Sequence, residues 1–141
     1  GRSPQPFVPN TPSRLRQARS CYDHLAGALA VGLHDAWFER GWLVAAAEPG
    51  GRRYEVTVEG DSALAKLGIA VQPLRGLRRR FACACLDWSE RRPHLGGALG
   101  AALLALALQR RWLQRELDSR QLRVTPLGRR ELASRFGVSL A

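Results

Sequence analysis

Part of this sequence occurs twice, and that constrains its fold more than any other feature. Residues 24–43 align with residues 94–113 without a gap, and nine of the twenty positions are identical: His24/His94, Leu25/Leu95, Gly27/Gly97, Ala28/Ala98, Leu29/Leu99, Leu33/Leu103, Arg40/Arg110, Trp42/Trp112 and Leu43/Leu113. Two further blocks match in the same order. Upstream, Arg16, Ala18, Cys21 and Asp23 correspond to Arg80, Ala82, Cys85 and Asp87. Downstream, Tyr54-Glu-Val-Thr57-Val-Glu-Gly60 corresponds to Leu122-Arg-Val-Thr125-Pro-Leu-Gly128, and Leu64-Ala65 to Leu132-Ala133. The second copy carries six extra residues, 88–93, before its histidine. Ordered matches of this kind imply duplication, and a repeated unit offers equivalent faces for packing against its copy.

The local patterns predict the unit. Thr11-Pro12 has the form of a helix start, and helical spacing runs from Ser13 to about Arg40, with Leu15, Leu25, Leu29, Leu33 and Trp37 available for a buried stripe. Gly41 ends it. Pro49-Gly50-Gly51 separates two short apolar segments, and Tyr54, Val56 and Val58 alternate with charged or polar residues as a half-buried strand does. Asp61 can cap a short helix that reaches Leu67. In the second copy, arginine-rich residues 75–80 lead into a helix through Leu86. Asp87-Trp-Ser-Glu90 has capping-box spacing, and Pro93 suits the first turn of a helix reaching about Arg111. A hairpin over residues 114–117 and 121–125 and a last helix over 127–135 complete it. The expected fold is α+β, mainly α: two internally duplicated winged-helix-like units, each helix–hairpin–helix. Residues 1–10, with Pro4, Pro6 and Pro9, form a linker; the units occupy 11–72 and 73–141.

Composition narrows the class. Hydrophobic residues make up 45% and charged residues 24%, the balance of a soluble globular chain. The longest uncharged apolar run, residues 95–108, falls short of the roughly 18 residues that suggest a membrane span. It reads as a buried helix, so no membrane partner is expected. Cys21, Cys83 and Cys85 form no disulfide framework and fit a reducing cytoplasm. The net charge of +10 favours polyanions, although Lys66 is the only lysine, an arginine bias that a GC-rich genome also writes. The chain has no methionine, even at position 1, and a proline-rich start, as a piece of a longer protein would. A winged helix that reads DNA places a polar helix in the major groove. Here the equivalent strings, His24-Leu-Ala-Gly-Ala-Leu-Ala and His94-Leu-Gly-Gly-Ala-Leu-Gly, offer a base no arginine, asparagine or glutamine. Their small residues suit packing instead.

Three strings together carry a family resemblance: Cys21-Tyr-Asp-His-Leu-Ala-Gly27, Arg40-Gly-Trp-Leu43 and Cys85-Leu-Asp-Trp-Ser-Glu-Arg-Arg-Pro-His-Leu-Gly-Gly-Ala-Leu-Gly100. Over residues 11–138 the chain resembles the C-terminal half of a bacterial subgroup of ArsR-type winged-helix transcriptional regulators. The resemblance implies a cytoplasmic regulator that acts on DNA as a homodimer through a winged helix N-terminal to this region. This region would then supply effector sensing and oligomerisation, with a small molecule as a possible effector. The alternative is a direct, arginine-rich nucleic-acid-binding module. No phosphate loop, acid/base pair or activated nucleophile can be assembled, so no enzyme is expected.

One constellation of residues suggests a binding site. Cys21, Asp23 and His24 correspond to Cys85, Asp87 and His94, and thiolate, imidazole and carboxylate are all ligands for a divalent metal such as zinc. On a helix, Cys21 and His24 would share a face, and two copies about a pseudo-twofold could bring the sets together. The structural alternative is that the thiols are simply buried and the aspartates are held by helix-end amides or by arginines such as Arg16 and Arg80. Cys83-Ala-Cys85 is a poor zinc motif. Trp37, Trp42, Trp88 and Trp112 could edge a ligand pocket or pack the domain. Arg52 and Arg53, at the first hairpin, could track a DNA backbone.

Overall fold

Gly27 and Gly97 decide how each half begins. Both hold positive φ, 93° and 79°. A Cβ on Gly27 would lie 2.7 Å from the Arg16 carbonyl oxygen, and one on Gly97 2.8 Å from that of Arg80. A helix does not run through a residue in that conformation. In the computed structural model, which describes residues 13–48, 50–117 and 119–140, the helix expected from Ser13 to Arg40 is therefore broken into three pieces. A five-residue helix α1 (Ser13–Gln17) is followed by a hairpin of β1 (Arg19–Cys21) and β2 (His24–Ala26), and only then by α2 (Ala28–Glu39). The same correction applies to the second half. Instead of a helix through Leu86 there is a hairpin of β5 (Cys83–Leu86) and β6 (Pro93–Gly96), and Pro93 lies in a strand rather than in the first turn of α5 (Gly97–Gln109). The linker over residues 1–10, the Thr11-Pro12 helix start and Pro49 lie outside the described residues.

From the long helix onward the elements follow the expected order. The hairpin β3 (Leu43–Ala45) and β4 (Tyr54–Val56) leads into α3 (Val58–Leu67) and a short α4 (Val71–Arg75). In the second half, β7 (Leu113–Arg115) and β8 (Leu122–Val124) lead into α6 (Pro126–Phe136). The cap of α3 is Thr57, not Asp61: its Oγ accepts from the Gly60 amide at 3.0 Å and donates to the Gly41 carbonyl at 2.6 Å. Thr125 does the same for α6, accepting from Gly128 at 2.9 Å and donating to the Arg111 carbonyl at 2.7 Å. Each threonine thus satisfies an orphan amide and ties the helix start to the end of the preceding long helix.

The halves are interlocked. The Ser20 amide donates to the Arg120 carbonyl at 2.8 Å and the Leu122 amide to Ala18 at 3.1 Å, which joins β1 to the strand that becomes β8. Reciprocally, Ala84 donates to Arg52 at 2.8 Å and Tyr54 to Ala82 at 3.0 Å, joining β5 to the start of β4. The long helices cross as well: α5 packs on β2 and α2 on β6. A single apolar core results, with Leu25, Leu29, Leu33, Trp37 and Leu64 from one half and Leu95, Leu99, Leu103, Trp112 and Leu132 from the other. Leu95, Leu99, Leu103, Leu104 and Leu106 are buried, as the apolar run 95–108 led one to expect. Among the described residues, no helix is long and apolar enough to cross a membrane.

Candidate functional site

The two hairpins that replace the expected helices build the site. Cys21 stands opposite His24 in the β1–β2 register, and Cys85 opposite His94 in β5–β6. Side chains directly opposite across an antiparallel pair share a face, so each hairpin presents a thiol beside an imidazole. β2 meets β6, which turns the two faces towards one another. One ligand atom from each of Cys21, His24, Cys85 and His94 lies within 4.8 Å of the other three. His24 Nε2 and His94 Nε2 are 3.0 Å apart. Gly100 permits this approach, since a Cβ there would stand 3.1 Å from the His24 Cβ.

Asp87 anchors one side. Its Oδ2 accepts from His94 Nδ1 at 2.9 Å and from the Gly27 amide at 2.6 Å. Its Oδ1 accepts from the Arg19 guanidinium at 2.9 Å, the Ser89 hydroxyl at 2.8 Å, and the Ser89 and Glu90 amides at 3.1 Å. The capping-box spacing is therefore used, but by the turn over residues 87–92 and not by a helix. Arg19, Asp87, Ser89 and His94 are all fully buried. Burial alone would push the Asp87 carboxyl up, but His94, the Gly27 amide, Arg19 and Ser89 outweigh it and hold the group well below the usual carboxylate range. Arg19 also lies over the Trp88 ring, with its guanidinium carbon 4.0 Å from the centroid.

Asp23 is the looser counterpart. It accepts from Arg79, which depresses its pKa, and stands 3.4 Å from His24 Nδ1. Hydrogen positions follow from these partners. An ionised carboxylate only accepts, so His94 carries its proton on Nδ1, and Asp23 assigns the His24 proton in the same way. The two Nε2 atoms then face each other beside the two thiols. Burial, together with the neighbouring His94, pushes the His24 pKa down. Burial, with Cys21 and Cys83 nearby, pushes the Cys85 thiol up to about 11.

Of the six predicted site residues, four thus converge and the two aspartates stand behind the histidines. Cys21 and His24 meet through strand pairing and not on a helix face. Cys83 and Cys85 are two apart on β5 and share a face, where a helix would have splayed them. The aspartates are held by Arg19 and Arg79, not by Arg16 and Arg80. Trp37, Trp42 and Trp112 gather around Phe136 in the core. Arg52 and Arg53 are exposed, and Arg53 lies 3.6 Å from Glu48. The reading from sequence missed Arg19: nothing in its neighbourhood marks it as the buried partner of a residue 68 positions away. His34, which has Leu104 at the equivalent position of the second copy and is given no role by the sequence, is buried and meets the Tyr54 hydroxyl at 2.8 Å and the Asp35 carboxylate at 3.0 Å.

The chain is related in sequence to a transcriptional regulator of the helix-turn-helix type. It is 40% identical over 126 residues to the uncharacterized HTH-type transcriptional regulator YdfF of Bacillus subtilis (strain 168), a match covering 89% of this chain and 54% of YdfF. The chain therefore spans about half the length of the curated relative it matches. No family model and no solved structure matches it.

Proposed function

We propose that the chain is the effector-sensing and oligomerisation region of an ArsR-type transcriptional regulator, built as two duplicated winged-helix-like units and working in the cytoplasm as a homodimer. In this reading DNA is read by a winged helix N-terminal to the region. The observation that carries it is where the two equivalent segments lie. His24, Leu25 and Ala26 are 7%, 2% and 0% exposed, and His94 and Leu95 0% and 4%. A segment buried against its own counterpart does not reach a base edge, but it can respond to a ligand held where the halves meet. The similarity to YdfF supports the regulatory role, and three free cysteines suit a reducing compartment.

The exposed Arg52 and Arg53, with the net charge of +10, favour the second reading, a direct nucleic-acid-binding module. Gel shifts separate the two. The 141-residue chain should bind DNA weakly, without sequence preference and with steep salt dependence. The natural full-length protein should bind its operator selectively, with an affinity that changes by about 5-fold or more when the site between the halves is filled or stripped. Nanomolar, sequence-selective binding by the 141-residue chain alone would put the second reading first.

A further inference from the structure

We infer that Cys21, His24, Cys85 and His94 bind one divalent cation of the zinc class in a closed site of two sulfur and two nitrogen ligands. This names the ligand of the site on which the proposed function rests. The donor set comes first. Tetrahedral S2N2 sites select zinc, since thiolate is soft, imidazole is borderline, and zinc has no geometric demand from its d electrons. Distances come second. Bonds of about 2.3 Å to sulfur and 2.0–2.1 Å to nitrogen put tetrahedral ligand atoms roughly 3.3–3.8 Å apart. The four atoms here lie within 4.8 Å of one another and the two Nε2 atoms 3.0 Å apart, so shifts on the scale of a bond rotation complete the geometry.

The surroundings fit the same ion. Metal-binding histidines donate their other ring N–H to a carboxylate, which fixes the tautomer and raises the basicity of the ligating nitrogen. Asp87 does this for His94 at 2.9 Å, and Asp23 faces His24 Nδ1 at 3.4 Å. With each Nδ1–H directed at a carboxylate, the two Nε2 atoms face each other at 3.0 Å and, when unprotonated, offer their lone pairs to a shared cation. Charge balances as well. The two thiols each lose a proton to solvent on binding, and two thiolates neutralise a divalent ion, while Asp87 is neutralised separately by Arg19. Each hairpin supplies one thiol and one imidazole, so the ion joins the two halves.

The test uses the 141-residue chain, stripped with a chelator under reducing conditions and then titrated with Zn2+ and separately with Co2+. One zinc per chain should be retained through gel filtration. The cobalt form should show the intense visible bands of tetrahedral cobalt together with near-ultraviolet thiolate charge transfer. Cys83→Ser should keep both properties; Cys21→Ser and Cys85→Ser should lose them. Asp87→Asn should weaken zinc binding about 10–100-fold. A wild-type chain that is folded by circular dichroism but retains no zinc, or gives cobalt bands without thiolate charge transfer, overturns the site. So does unchanged binding by the Cys21→Ser/Cys85→Ser double variant. The cobalt spectrum is read on the wild-type chain and decides the matter even where a serine variant does not fold. If the ion binds with this spectrum while operator affinity of the full-length protein is the same with and without it, the site stands and the sensing role falls.

Discussion

Asp87 and Asp23 occupy corresponding places behind the two histidines, yet they should differ greatly in what they contribute. Asp87 is fully buried, and the Arg19 guanidinium that it neutralises is buried with it. Removing one partner from such a pair strands the other charge away from water, which costs about 3–5 kcal/mol. Asp23 is 31% exposed and pairs with Arg79, which is 40% exposed, so solvent screening leaves about 0–1 kcal/mol at stake. Urea unfolding of Asp87→Asn and Asp23→Asn, both measured in chelator so that no ion contributes, should separate by several-fold in lost stability. Equal losses would mean that the Arg19–Asp87 network is not formed. A second prediction at this scale concerns Arg111, which holds φ 59° just after α5, where the first half has Gly41 at φ 73°. A side chain in the left-handed region costs about 1–2 kcal/mol, offset in part by the entropy that glycine loses on folding. Arg111→Gly should therefore raise stability by about 0.5–1 kcal/mol, seen as a higher denaturation midpoint at unchanged slope.

Elements differed in how openly the sequence announced them. Long helices with repeated apolar spacing, and a hairpin marked by Gly50-Gly51, were legible because each signal comes from local physics. The hairpin β1–β2 was not. Its strands are three residues long, Arg-Ser-Cys and His-Leu-Ala, too short to show alternation. Its turn is Tyr22-Asp23, where Tyr22 takes φ 58° although glycine or asparagine is the usual residue there. What holds it is tertiary: the Gly27 amide is taken by Asp87, and Ser20 is paired with Arg120. The convergence of Cys21, His24, Cys85 and His94 was thus expected from the repeat, but by the wrong geometry. The start of α6 belongs to the legible kind and can be tested. A Cβ at Gly128 would lie 2.1 Å from the Trp112 carbonyl oxygen, as one at Gly60 would lie 2.4 Å from that of Trp42. Gly128→Ala should cost about 1–3 kcal/mol or more through forced backbone displacement, and Thr125→Ala about 1 kcal/mol through the lost cap. Thermal unfolding that ranks them the other way would show that α6 does not sit tightly on Trp112.

At the scale of the whole molecule, the decisive property is that neither half completes itself. β1 is bonded to the strand entering β8, and β5 to the strand entering β4, so each half lends an edge to the other. The long helices likewise cover the opposite hairpin, and Phe136 of the second half closes on Trp37 and Trp42 of the first. A fragment of about 60 residues has little surface to bury even when it is self-contained. One that must also expose unpaired strand edges and the apolar face of its helix has less, and its backbone groups lose their partners. Cutting the chain after α4, between residues 77 and 78, should therefore give two pieces that lack stable tertiary structure alone. Mixed in equimolar amounts in reducing buffer, they should recover the near-ultraviolet circular dichroism of the tryptophans, and zinc should strengthen their association because it draws one thiol and one imidazole from each piece. A dispersed, cooperative fold in residues 13–77 alone would mean that the shared strands and crossed helices are accessory contacts between two independent units. In that case an ion between the halves could set their spacing, but it would not help to form either one.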